Sequence, residues 1–163
     1  MTKRILIRCA LALSLGLLSA CSSFDRQWKS ASQGKGGATC WDGTWTSGTK
    51  HEAHGRPHGG RLRAVLAPLP GGKLAASFHA NWRIFSGDFD TTLEPVGRAA
   101  HNKVRLFHGS HELPAIFGGL YTYDARLSGD HFTSTYSCSL DHGVFSLERV
   151  KPTMEHFQLN PEH

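Results

Sequence analysis

The sequence predicts an all-β protein: a single small antiparallel up-and-down β-barrel of about eight strands, preceded by a signal peptide and a flexible tether. Three observations carry this. Apolar and polar residues alternate with period two over roughly residues 39–150. Turn signals such as Pro70-Gly71-Gly72, Ser128-Gly129-Asp130 and Asp141-His142-Gly143 fall between the alternating runs. Helical periodicity is nearly absent. Short turns favour a meander, and closing it into a barrel removes the exposed edges.

The N-terminal segment has a different character. Lys3, Arg4 and Arg8 accompany a Leu- and Ala-rich run that reaches Leu18. Such a segment reads as a secretory signal over residues 1–20, too short for a spanning helix. It ends in Leu18-Ser19-Ala20-Cys21, which resembles the lipobox of bacterial lipoproteins. The resemblance implies lipidation of Cys21, cleavage before it, and membrane attachment through several acyl chains. Ser22, where an Asp would signal inner-membrane retention in that family, implies the outer membrane, facing the periplasm. Residues 21–38 are polar and rich in Ser, Gly and Lys and read as the lipidated cysteine with a flexible tether. Trp28 within it reads as an incidental residue or an interfacial anchor. The tail, 151–163, starts with a Pro-containing break and reads as disordered.

Processing also resets the charge. The full chain has 18 basic and 13 acidic residues, a net charge of +5. Loss of Lys3, Arg4 and Arg8 with the signal leaves 15 against 13, or +2. The basicity is thus mainly a targeting feature, and nucleic acid is not an expected partner.

Eight strands are expected between the tether and the tail, 39–150. They lie near 40–47, 61–68, 74–82, 88–94, 103–109, 119–127, 131–138 and 143–150. The alternation sends Leu62, Ala64 and Leu66 inward, then Ala76, Phe78, Ala80 and Trp82, then Phe89, Thr91 and Leu93. Val104 and Leu106 are expected to follow, then Tyr121, Tyr123, Ala125 and Leu127. Phe132, Ser134, Tyr136 and Cys138 come next, and Phe145, Leu147 and Arg149 complete the set. Arg61, Arg63, Ser77, His79, Asp124 and Arg126 fall on the opposite face, as expected for a sheet with one buried and one wet side. Gly143 is expected in a left-handed turn position.

Trp41-Asp42-Gly43-Thr44-Trp45 opens the first strand. Its Gly43-Thr44-Trp45 resembles the G-x-W motif of the lipocalins and their calycin relatives. The resemblance implies that Trp45 closes one end of the barrel, with Arg149 from the last strand packed across it. Trp41, Gly43, Trp45 and Arg149 then form a barrel floor, Gly43 relieving crowding between two indoles. The domain is shorter than typical lipocalins and shows no helix after the barrel. An eight-stranded barrel holds either side chains or one small ligand.

Cys40 and Cys138 are the two cysteines beyond Cys21. A meander places them at opposite ends of strands spanning on the order of 20–25 Å. A disulfide requires Cα atoms within about 7 Å. Two free thiols are expected, with Cys138 buried.

No nucleophile elbow, phosphate loop, zincin helix or zinc-finger thiol spacing occurs, so no enzyme activity and no cofactor are expected. His51, His54 and His58, with His108 and His111, are a candidate weak metal site if their loops meet at one rim; the alternative is a solvated loop. Asp88, Asp90 and Glu94 read as a solvated strand edge. Tyr121, Tyr123, Ser134, Tyr136, Phe78 and Trp82 are candidates for a ligand pocket, the alternative being core packing with internal hydrogen bonds. The expected function is a monomeric, lipid-anchored, non-catalytic envelope protein that binds a small apolar ligand or lipid. The alternatives are a filled-barrel scaffold and a weak metal binder.

Overall fold

The computed structural model describes residues 23–48, 58–82, 85–97 and 104–152. Eight strands form: β1 Thr39–Ser47, β2 Gly59–Pro68, β3 Leu74–Trp82, β4 Phe85–Pro95, β5 Val104–Glu112, β6 Leu120–Ser128, β7 His131–Ser137 and β8 His142–Val150. Each pairs antiparallel with the next, and β8 returns to β1, so the meander closes into a barrel. The end where β1 stops at Ser47 is the upper end here, and the end where β1 starts at Thr39 is the lower end.

The alternation fills the interior as expected on most strands. Leu62, Ala64, Phe78, Leu93, Phe132 and Leu147 are all buried in one core cluster. Gly43 faces inward on β1, but the group it spares is backbone: a Cβ there would run into the Ser146 carbonyl oxygen of β8. Gly143, expected in a turn, lies within β8 opposite Tyr136, where a Cβ would meet the Tyr136 ring. Left-handed glycines occur in other connections, among them Gly129, with φ of 59° between β6 and β7, and Gly71 and Gly72, with φ of 74° and 75° between β2 and β3.

β5 departs from the expected phase. Phe107 and Gly109 point inward, whereas Leu106 is exposed and Val104 only partly covered. Register explains the choice: Phe107 lies opposite Ala125, and Gly109 opposite Tyr123. Each bulky ring faces a small residue, which the alternative phase would not provide. A shift of one residue exchanges the two faces of a strand.

The segment expected to be a flexible tether contains a helix, α1, Ser23–Ser32. Phe24, Trp28 and Ala31 recur at helical spacing on one face. They cover the outer wall of β1 and β2 in a second apolar cluster, with Phe24 and Ala31 packed against Cys40 and Val65 and with Trp28 and Ala38 at its edge. Arg63 lies over both the Phe24 and Trp28 rings, 5.2 Å from each centroid. Burying a side chain such as Phe24 contributes about 1.5–3 kcal/mol, which holds this short helix on the barrel.

Candidate functional site

The barrel interior is a connected stack of rings. At the lower end the Trp41 ring packs on Phe132 at 6.2 Å, and its Nε1 donates to Thr39 Oγ1 at 2.8 Å. Phe132 meets Phe78 at 6.3 Å, and Phe78 stacks on Phe89 at 4.9 Å. Phe145 joins Phe78, Phe89, Tyr123 and Tyr136 at 5.0–6.4 Å between centroids. Tyr121 closes the sequence at the upper end, stacked on both Tyr123 and Tyr136.

A polar fastening sits beside these upper rings. Asp141, in the turn between β7 and β8, accepts the Ser47 hydroxyl on Oδ1 at 2.5 Å and the Tyr136 hydroxyl on Oδ2 at 2.7 Å. The His142 backbone N–H also donates to Oδ1, at 2.8 Å. One carboxylate thereby joins β1, β7 and β8. Its own backbone N–H donates to Cys138 Sγ at 3.3 Å. Burial pushes the phenols of Tyr121, Tyr123 and Tyr136 well above the ordinary tyrosine range. The Asp141 carboxylate adds to this at Tyr136, and Cys138 adds to it at Tyr121. These hydroxyls therefore stay protonated, as hydrogen-bond donors.

The residues expected to form a pocket do converge. Phe78, Tyr123, Ser134 and Tyr136 are buried, and Tyr121 is half-buried above them. Ser134 Oγ is committed to the backbone, to Thr135 O at 2.9 Å and Asp124 O at 3.2 Å. Trp82 ends β3 at the same rim, but its side chain lies outside the described residues. Tyr121 stacks on Tyr123 and Tyr136, and Phe78 connects to Tyr123 through Phe89 and Phe145.

The expected floor is divided between the two ends. Register places Arg149 opposite Trp41 and places Trp45 opposite Phe145. Four residues of strand, about 13 Å at 3.3 Å per residue, separate the two tryptophans. Arg149 does not cover Trp45. It is exposed at the lower end, 3.9 Å from the Asp130 carboxylate, and its backbone N–H donates to Asp130 O at 2.9 Å. Trp45 instead lines the upper mouth, with Nε1 donating to Asn81 O at 3.2 Å and the ring edge-on to His58 at 5.2 Å.

Cys40 and Cys138 are both free thiols. Cys40 is buried beneath α1, and Cys138, expected to be buried, is half-buried. Burial raises the Cys40 thiol above its ordinary range.

The candidate metal ligands do not gather. His51 and His54, like Cys21, lie outside the described residues. His108 points outward, 2.9 Å from the Asp124 carboxylate, while His111 has the opposite strand parity and its ring lies 6.5 Å from Phe89. His58 lies against Trp45. Among the described residues no three His, Cys, Asp or Glu side chains converge as metal ligands.

An open groove of about 690 Å³ crosses the outer face of β3–β5 beside α1, lined by Gln27, Ser77, Asp90, Thr92, Glu94 and His108 among others. It follows the short β4–β5 ladder. Among the described residues that ladder joins only Thr92–Pro95 to Phe107–Ser110, although β4 and β5 both continue above it.

Fold and site together define a closed eight-stranded antiparallel barrel with an aromatic interior and a helix on its outer wall. Comparison of the chain with protein-family models, curated proteins and solved structures returns no match.

Asp141 and α1 were missed from sequence. The helix carries a readable signal in Phe24, Trp28 and Ala31, weakened by the Ser, Lys and Gly around it. Asp141 carries none, because a turn aspartate ordinarily reads as a solvent-facing turn former.

Proposed function

We propose that this chain is a lipid-anchored envelope protein whose barrel serves as a non-catalytic interaction module. The continuous ring contacts from Trp41 through Phe132, Phe78 and Phe145 to Tyr136 and Tyr121 carry the reading. These rings lie where a ligand-carrying barrel of this strand number would hold its ligand, which supports the reading. The Leu18-Ser19-Ala20-Cys21 sequence supports the anchor, and Ser22 supports the outer membrane.

A second reading, a small apolar ligand or lipid held at the upper mouth, draws support from the half-buried rings of Trp45, Phe89 and Tyr121 there. Native mass spectrometry of the full-length protein extracted from its own membranes separates the two. The expected species is the chain plus its acyl groups alone. A small molecule bound in stoichiometric amount and released on denaturation would replace the interaction module with the ligand carrier.

A further inference from the structure

The upper end carries apolar side chains that the barrel leaves uncovered. Ile116 is 79% exposed, Leu140 57%, Leu120 56% and Val144 50%. They belong to one surface. The backbone N–H and the Oγ of Ser139 both donate to Gly118 O, at 3.2 and 2.8 Å, tying the β7–β8 turn to the β5–β6 connection. Leu140 follows this junction, and Ile116 and Leu120 stand two residues to either side of Gly118. A backbone carbonyl that accepts two donors from the same turn fixes these side chains relative to each other.

α1 gives this surface a direction. Its first turn lies toward the same end: Phe24 stacks on His79 at 5.3 Å, and His79 bonds to Asn81, next to the upper terminus of β3. Ala31 and the residues after it reach the lower end, near Arg149 and Val150. Cys21 precedes Ser23 by two residues, a reach of about 7 Å in extended chain. Phe24 is only 1% exposed, so α1 cannot lift away without uncovering it. An acyl group on Cys21 therefore holds the upper end of the barrel close to the headgroups rather than at the end of a loose tether.

We infer that the upper rim docks on the bilayer, with Ile116, Leu120, Leu140 and Val144 in the boundary between headgroups and acyl chains. The inference rests on the anchor proposed above. The partner is a phospholipid surface because the chain itself delivers this rim to one. Leu69, Val96, Leu106 and Val150 are exposed toward the lower end as well, so the choice of rim rests on the direction of α1. Exposed apolar side chains on the rim so chosen suit shallow insertion at such a boundary.

The test uses the full, acylated chain carrying Cys138→Ser, with one new thiol at Ile116→Cys, at Leu140→Cys or, as the opposite-end control, at Asp130→Cys. Each is labelled with an environment-sensitive fluorophore and reconstituted into vesicles of phosphatidylethanolamine and phosphatidylglycerol. Expected is a blue shift at 116 and 140, with quenching by brominated acyl chains, and neither effect at 130. Incorporation of a clickable fatty acid, lost in Cys21→Ser, reports the anchor separately. An acylated chain whose 116 and 140 probes stay in water, or respond no more than the 130 probe, overturns the docking and leaves the anchor standing. A chain that takes up no fatty acid overturns both.

Discussion

Tyr136 donates its hydroxyl to Asp141 Oδ2 at 2.7 Å, across the turn that joins β7 to β8. Ser47 reaches the other oxygen of the same carboxylate from the end of β1. The strands that close the barrel are thus fastened at their upper ends by one side chain. Asp141→Ala leaves two hydroxyls without their acceptor and should cost about 1–3 kcal/mol. Tyr136→Phe removes one donor and should cost less. Urea unfolding of both single variants and the double variant measures the coupling. An Asp141→Ala protein as stable as the parent would show that the carboxylate fastens nothing.

The chain has three tyrosines, and all three hydroxyls ionise less readily folded than unfolded. In the unfolded chain they lose their protons near pH 10. A group whose folded pKa is raised contributes stability that is complete below the unfolded pKa. That contribution is lost as pH climbs toward the folded value. Stability should therefore fall above about pH 10, and tyrosinate absorbance near 295 nm should rise only together with loss of the fold. Tyrosinate appearing while the near-ultraviolet dichroism is still native would contradict the burial of these phenols.

Trp41 is buried in the core, whereas Trp45 is half-buried at the mouth. Trp41→Ala should lower stability by about 3–5 kcal/mol. Trp45→Ala should lower it by clearly less, and without loss of the closed barrel. Paired denaturation curves test the order, and equal losses would mean that the mouth packs as tightly as the core.

Phe24→Ala should loosen α1 without opening the barrel, because the helix packs on the outer wall. In the parent protein Cys138 should react with a thiol reagent well before the buried Cys40. In the variant Cys40 labelling should accelerate while the barrel's dichroism is retained. Unfolded without reductant, the chain should show both thiols. A Cys40 rate that ignores Phe24 would mean that the helix does not cover it.

The barrel was legible because alternation is a local property. Leu62, Ala64 and Leu66, or Phe132, Ser134 and Tyr136, declare their face without knowledge of any partner strand. β5 was not legible in the same way. Val104 and Leu106 compete with Phe107 for the inner face, and the decision rests on Ala125 and Tyr123 across the sheet. Arg149 failed for a related reason. It shares the strand parity of Phe145 and Leu147, yet its side chain is exposed at the lower end. The level at which β8 meets β1 is a register, and no residue of either strand announces it. Of the candidate site, the inward rings were visible and their mutual contacts were not. α1 shows the converse: Phe24, Trp28 and Ala31 stand at helical spacing, but the Ser, Lys and Gly around them give the segment the composition of a linker.

The short β4–β5 ladder gives the barrel a kinetic asymmetry. Every other neighbouring pair shares at least seven register positions, but this one shares four among the described residues. Those backbone amides of β4 above Thr92 that point toward β5 rather than β3 should trade their hydrogens with solvent at low opening free energy, ahead of those at the β8–β1 junction, which the Asp141 fastening holds shut. The cylinder thus has a zip on one side and a rivet on the other.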